Sequence, residues 1–192
     1  CFCVSYFFII FLFFISKEYK MILTTKPKKV DIVIDFHEYY IPHERLQMKE
    51  LAVVSLQPNS KGVFIDSHYV FKPPYSWEQL PKNYQADYLY RYETYGIPWQ
   101  LGYTLAKWQE SILMKHLYQA KRVFVCESNT KNLLLKIIGN VDIPILSLDT
   151  DDDEDVLFDY EFETNCLHHQ NRSENNCAYD NAISLRNILL NK

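Results

Sequence analysis

The sequence has no excess of positive charge. Its 20 Lys and Arg residues are outnumbered by 24 Asp and Glu residues, which gives a formal net charge of -4. This balance gives no global electrostatic reason to bind nucleic acid or an anionic membrane, although a local basic patch could do so. The 192 residues include only five cysteines, two of them within the first three positions, so the disulfide framework of a small secreted domain is excluded. A reducing compartment fits the chain better.

The N-terminal apolar run, residues 1–15, is shorter than the roughly 20 residues that a membrane-spanning helix needs. No basic flank precedes it, and no small-x-small cleavage site follows it. We expect residues 1–20 to be a non-native extension and Met21 to be the genuine start; a signal peptide or membrane anchor is the alternative. Residues 21–192 are long enough for a single domain with a real core.

Hydrophobic periodicity predicts an α/β fold. Strands are predicted first, then strands and helices in alternation, in the order β-β-β-α-β-α-β-α. This order is the layout of a ribonuclease H-like fold, a mixed five-stranded sheet with flanking helices, with right-handed crossovers between its parallel strands. Residues 75–100 lack clean periodicity and are expected to form a covering loop with a short helix around residues 84–92. The predicted strands are residues 29–36, 49–56, 63–71, 122–126 and 143–148, and the predicted helices begin at Leu101, Ser128 and Ala178.

A polar stretch before the closing helix contains side chains that favour zinc. Cys166, His168 or His169, and Cys177 lie within a dozen residues. Zinc in structural sites takes four Cys, His or carboxylate ligands in a tetrahedron, so the fourth ligand must come from elsewhere in the chain. Chance proximity is the alternative, because no second Cys-x2-Cys or His-x3-His pair accompanies these residues.

Five stretches occur in a characteristic order along the chain. They are Tyr40-Ile-Pro42, Lys49 to Leu56, His68-Tyr-Val-Phe71, Tyr95-Gly-Ile-Pro98 and Cys166-x2-His169-x7-Cys177. This ordered set resembles the Maelstrom domain family. The resemblance implies a ribonuclease H-like fold related to DEDD exonucleases, in which a Glu-Cys-His-Cys quartet binds zinc. Carried onto this sequence, the quartet is Glu50, Cys166, His169 and Cys177, with His168 as a rival to His169. No HMG box, the small DNA-binding module that such proteins usually carry, is visible in the sequence.

An active nuclease is the second hypothesis. A two-metal exonuclease of the DEDD type needs about four carboxylates around two divalent ions. This sequence offers only Asp35, Glu127 and Asp180 at comparable places, so the set is incomplete. A reduced Mg²⁺ or Mn²⁺ site at these three residues stays open, against their simpler interpretation as a strand end, a loop acid and a helix-start residue.

The resemblance therefore implies RNA association more firmly than catalysis. We expect a zinc-stabilised domain that acts in small-RNA (piRNA-type) silencing, with single-stranded or small RNA and silencing proteins as partners, in the cytoplasm or nucleus. A membrane-anchored protein of unknown role is the third hypothesis. Aromatic residues between positions 75 and 108 could stack on bases, although core packing explains them equally well. The expected basic surface consists of Lys115, His116, Lys121 and Arg122.

Overall fold

In a computed structural model of the chain, the structure describes residues 28–43, 45–148, 166, 168–169 and 177–191. The expected N-terminal extension, residues 1–20, lies outside these residues. Within the described ranges, no helix is both long enough and apolar enough to cross a membrane.

The described residues form six strands and four α-helices, which confirms the α/β class. The strands are β1 (Val30–Ile41), β2 (Arg45–Ser55), β3 (Asp66–Lys72), β4 (Thr104–Leu105), β5 (Ala120–Val125) and β6 (Ile145–Ser147). The helices are α1 (Lys82–Tyr95), α2 (Gln109–Gln119), α3 (Ser128–Ile138) and α4 (Ala178–Asn191), with short 3-10 turns at Trp77–Gln79 and Ala106–Trp108.

All six strands belong to one mixed sheet in the order β4-β3-β2-β1-β5-β6. Strand β2 runs antiparallel to both β1 and β3, whereas the pairs β1 with β5, β5 with β6, and β3 with β4 are parallel. The sequence predicted five strands, so β4 is an addition at the edge. The prediction that a helix begins at Leu101 was wrong, because β4 and a 3-10 turn precede α2, which begins at Gln109.

The central strand β1 is covered on both faces. Side chains alternate between the faces of a strand, so Ile32 and Ile34 point to one side and Val33 to the other. Ile32 and Ile34 belong to a core with Leu113 of α2 and Leu134 of α3. Val33 belongs to a second core, which α4 covers with Ala178, Ala182 and Leu185. Helix α4 therefore lies over the odd-numbered face of β1.

Strand β4 can reach β3 because residue 102 is glycine. Gly102 has φ +153°, and an added Cβ would lie 2.4 Å from the backbone nitrogen of Lys72. Any side chain here would collide with the β3 backbone, which a rigid strand cannot move aside.

An aromatic cluster fills the space between β1 and α1. Tyr39 contacts the rings of Tyr88 and Trp99 edge to face, with centroids 5.5 and 5.2 Å away. Tyr88 and Trp99 are buried. Two of the aromatic residues expected as base-stacking candidates are therefore core residues, whereas Tyr90, Tyr103 and Trp108 are exposed.

Candidate metal centre

Glu50 is a fully buried carboxylate on the sheet face that α4 covers. It pairs across the sheet with His37 of β1 and with Val70 of β3, so His68, two residues before Val70, points to the same face. The His68 Nε2 lies 2.6 Å from Glu50 Oε1, and the His37 Nε2 lies 3.4 Å from Glu50 Oε2. The imidazoles of His37 on β1 and His68 on β3, the strands on either side of β2, thus flank the Glu50 carboxylate.

The register between β1 and β2 is broken by a β-bulge beside Glu50. His37 pairs with Glu50 but Glu38 pairs with Met48, so Lys49 has no partner on β1. This bulge buries two consecutive charged residues of β2, Lys49 and Glu50. The Lys49 amine donates to three backbone carbonyls, those of Trp99 at 2.7 Å, Leu101 at 2.5 Å and Phe71 at 3.4 Å, and so fastens the loop before β4 to β3.

The start of α4 and the loop before it supply the other half of the centre. The Ala178 N–H donates to Glu50 Oε2 at 3.1 Å, and the Cys177 thiol lies 3.7 Å from Glu50 Oε1. His169 Nε2 is 2.9 Å from that same Oε1. A carboxylate at a helix N-terminus is stabilised by the free N–H groups and by the helix dipole. Glu50 therefore connects the sheet to α4 through several polar contacts.

The end of α1 orients His169. The His169 Nδ1–H donates to the Tyr95 carbonyl oxygen at 2.5 Å, and this hydrogen bond leaves the His169 Nε2 directed at Glu50. Helix α1 ends here because Gly96 takes the left-handed conformation, with φ 68°. The Tyr95 ring also stacks on His37, with centroids 4.0 Å apart. Tyr95 thus contacts both the His169 ring and the His37 ring, in addition to the contacts that these rings make with Glu50.

Four side chains form a group that could hold a metal ion. The ligand atoms of Glu50, His68, Cys166 and Cys177 all lie within 4.8 Å of one another. Both cysteines are free thiols. Glu50 and Cys177 are buried, whereas His68 and Cys166 are half-buried at the outer side.

Hydrogen bonds keep this centre charged despite its burial. Burial alone would raise the pKa of Glu50, but hydrogen bonds with His169 and His68 outweigh it and hold that pKa well below its usual range. The hydrogen bond from Cys177 lowers the pKa of Cys166 and raises the pKa of Cys177 in turn. The lowered pKa values of Glu50 and Cys166 favour their anionic forms, which suit the binding of a cation.

The pKa of His169 is raised, whereas that of Glu50 is lowered. Its burial lowers its pKa, but hydrogen bonds with Cys166 and Glu50 overcome this effect and raise the pKa to about 10. A metal ion at the centre would compete with the proton on Nε2, because a ligating imidazole is neutral.

The structure brings all four residues of the predicted quartet together. His169 contacts Glu50 directly, yet the group with mutually close ligand atoms contains His68 in its place. His168, the rival, lies further out, with its ring 5.3 Å from His68 and 5.4 Å from Tyr103. Sequence reasoning missed His68 as a candidate ligand. The strand register opposite Glu50 is the signal that would have identified it.

The three carboxylates of the nuclease hypothesis differ in burial. Asp35 is buried on β1 and accepts a hydrogen bond from Asn181 of α4 at 2.9 Å. Its burial, together with the charges of Glu50 and Glu127, raises its pKa to about 7 against the hydrogen bond from Asn181. Asp180 is half-buried with its pKa raised by burial, and Glu127 is exposed. The metal-binding group found among the described residues includes none of these three.

The expected basic surface is smaller than the sequence predicted. His116 is 4% exposed and its Nε2 lies 3.1 Å from the Tyr69 hydroxyl, so its assignment to that surface was wrong. Arg122 is exposed but makes a bidentate ion pair with Asp31, with N–O distances of 2.6 and 3.0 Å. Lys115 and Lys121 remain exposed.

No family model matches this chain, and no curated protein sequence matches it either.

Proposed function

We propose that this chain is a zinc-stabilised, ribonuclease H-like domain of Maelstrom type that associates with RNA in small-RNA silencing, in the cytoplasm or nucleus. The observation that carries the proposal is the convergence of two thiols and three imidazoles on the buried carboxylate of Glu50. This carboxylate was the fourth ligand that the resemblance required, and it comes from a strand more than a hundred residues away from Cys166 and Cys177.

The sheet supports the ribonuclease H-like assignment. An antiparallel meander of β3, β2 and β1 continues into the parallel strands β5 and β6, and helices cover both faces. That arrangement agrees with the layout expected from the order of predicted elements, with β4 as an extra edge strand.

The donor set favours zinc over other metals. Thiolate and imidazole together suit zinc, whereas magnesium and calcium prefer oxygen ligands alone. We assign Glu50, Cys166, His169 and Cys177 as the ligands, because the Tyr95 carbonyl fixes the His169 ring as outer partners of metal ligands do. His68 is then a neighbour of the centre. Zinc bound here would join β2 to α4, which is a structural role.

The experiment that tests this proposal is elemental analysis of the full chain, the native protein beside Cys166→Ser and Cys177→Ser. We expect one zinc per native chain, and loss of zinc with loss of stability in both variants. Cys126→Ser is the matched control, because Cys126 is a half-buried cysteine outside the group and its loss should leave the zinc in place. A folded native chain without zinc would refute the proposal.

RNA association is tested separately, through the fluorescence anisotropy of a labelled single-stranded RNA titrated with the zinc-loaded chain. We expect saturable binding that weakens as salt rises, because phosphate contacts release counterions. Binding that is absent at low salt would remove RNA from the proposal and leave the zinc centre standing.

A metal-dependent nuclease is the second candidate. The buried position of Asp35, beside Asn181 of α4 and near the charges of Glu50 and Glu127, favours it. Mg²⁺ or Mn²⁺ would then be held by Asp35, Glu127 and Asp180, and RNA would be cleaved in a reaction that needs Asp35.

A further inference from the structure

A large groove lies at the end of the β1–β2 hairpin, beyond the metal centre along both strands. Its volume is about 1150 Å³, more than the roughly 300–1,000 Å³ of a site for one small molecule. The tip of the hairpin forms one wall, and the start of α1, the start of α2 and the end of α3 form the others. The residues used below, all of which line the groove, are Tyr40, Arg45, Tyr84, Asp87, Lys107, Glu110 and Lys136.

The groove is positively charged on a chain that is acidic overall. Arg45, Lys107 and Lys136 line it, and all three are exposed. Among the described residues, two carboxylates also line it: Asp87, which forms an ion pair with Arg91 at 3.0 Å, and Glu110. Since the formal net charge of the chain is -4, this local excess of cations marks a surface for an anionic partner.

Two tyrosines give the groove flat surfaces as well as charge. Tyr40 and Tyr84 are half-buried in its wall, so part of each ring faces the open space. The Arg91 guanidinium lies over the Tyr40 ring, 5.5 Å from its centroid, and holds that ring in place. Cations that follow a phosphate backbone, combined with aromatic rings on which bases stack, are the means by which proteins bind single-stranded nucleic acid.

We propose that a short segment of single-stranded RNA binds in this groove, with its phosphates at Arg45, Lys107 and Lys136 and a base stacked on Tyr84. This inference rests on the proposed RNA association and gives it a location. A peptide of acidic residues alone would also meet the cations, but it has no aromatic ring to stack on the tyrosines. The groove lies apart from Glu50, so RNA binding and zinc binding use separate surfaces.

The first test compares two triple variants of the zinc-loaded full chain by anisotropy of a labelled ten-nucleotide uridine RNA. Arg45→Gln/Lys107→Gln/Lys136→Gln should bind about tenfold more weakly at physiological salt, and its log-log salt slope should fall by about 2. Lys28→Gln/Lys29→Gln/Lys61→Gln is the matched control, since it removes the same charge from exposed lysines outside both the groove and the basic surface expected from the sequence. We expect its affinity to stay within about twofold of native.

A second pair of variants tests stacking. Tyr84→Leu keeps an apolar side chain in the wall but removes the ring, and should weaken binding at least about fivefold. Tyr118→Leu is the control, because Tyr118 is 70% exposed and lies outside the groove. Zinc content and the midpoint of thermal unfolding should be native in every variant, which separates a binding effect from a folding effect.

The possible failures are distinguishable. If the native chain holds zinc but binds no RNA, the RNA association itself fails and the groove proposal falls with it. If the native chain binds RNA and the groove triple variant binds equally well, or no worse than the control triple, only the location is refuted. If a glutamate-rich peptide competes as well as RNA and Tyr84→Leu has no effect, the groove takes an acidic peptide and the proposal is overturned.

Discussion

His68 Nε2 and His169 Nε2 lie 2.6 and 2.9 Å from the same oxygen, Oε1 of Glu50. One ring comes from β3 and the other from the loop before α4. Since tetrahedral zinc takes four ligands and Glu50, Cys166 and Cys177 supply three, only one of the two imidazoles is needed. Their surroundings differ: the His169 side chain is fully buried and held by Tyr95, whereas the His68 side chain is 18% exposed.

We therefore predict that His169→Ala lowers zinc affinity by about 100-fold or more, as loss of a ligand does, and that His68→Ala lowers it by about tenfold. Competition with a chromophoric chelator measures both affinities. Exposed His43, replaced by Ala, serves as the control. The reverse ranking of the two variants would make His68 the ligand.

Asp35 provides a pH-dependent prediction. Because its pKa is raised from 3.8 to about 7, mainly by burial, the folded chain holds a proton that the unfolded chain releases. The stability that this proton contributes is complete below pH 3.8 and is lost as the pH rises through 7. Asp35→Asn avoids this loss, so at pH 8 the variant should exceed the native chain in free energy of unfolding by about 2–4 kcal/mol.

Urea titrations at pH 5 and pH 8 measure this difference, with the exposed Asp142→Asn as control. Equal stability of Asp35→Asn and native chains at pH 8 would mean that Asp35 is ionised and compensated. The same variant tests the nuclease hypothesis: cleavage of RNA with Mg²⁺ or Mn²⁺ by the native chain, and not by Asp35→Asn, would support it.

His116 should destabilise the fold in mild acid. Burial lowers its pKa from 6.5 to about 4, so the unfolded chain takes up a proton that the folded chain resists. The free energy of unfolding therefore falls as the pH drops from 6.5 towards 4, by an amount on the order of 3 kcal/mol. His116→Gln should flatten this part of the pH profile of thermal unfolding. His43→Gln should leave it unchanged, and an identical slope in both variants would contradict the prediction.

Lys49 should be worth more to stability than a surface lysine. Its amine satisfies the carbonyls of Phe71, Trp99 and Leu101, and Lys49→Met leaves these buried acceptors without that donor. Each buried acceptor left unpaired costs about 1–3 kcal/mol, and removal of a buried charge offsets part of the sum. We expect a net loss of about 2–4 kcal/mol in urea unfolding. Lys121→Met, at an exposed site, should lose almost none; equal losses would refute this role of Lys49.

Much of the sheet could be predicted because its signal is local. The alternation of apolar and polar residues in β1, the largely apolar second half of β2 and the helical face of α3 depend on residues close in sequence. Strand β4 has only two residues, and it exists because Gly102 lets the chain approach Phe71 and Lys72. The sequence predicted only a short helix around residues 84–92, because it shows no clean apolar periodicity there; α1 is longer, at Lys82–Tyr95, and buries Tyr88.

Part of the candidate metal centre could likewise be predicted from the sequence, and part could not. The spacing of Cys166, His169 and Cys177 is visible in the sequence, but Glu50 was selected through resemblance. His68 could be found only from the register of β2 against β3, which no periodicity reveals. His116 was assigned to a surface because it follows Lys115, whereas its burial depends on Tyr69 of another strand.

The hydrogen bond between Glu50 and Ala178 joins residues that are synthesised at different times. The two residues are 128 positions apart, so the ribosome makes the carboxylate well before its helix partner. Until α4 emerges, the sheet face around Glu50 lacks the cover that Ala178, Ala182 and Leu185 provide. The group of Glu50, His68, Cys166 and Cys177 therefore cannot form before Cys177 has been synthesised. Premature termination before Cys177 would yield a product without this group and without the helix that covers this face.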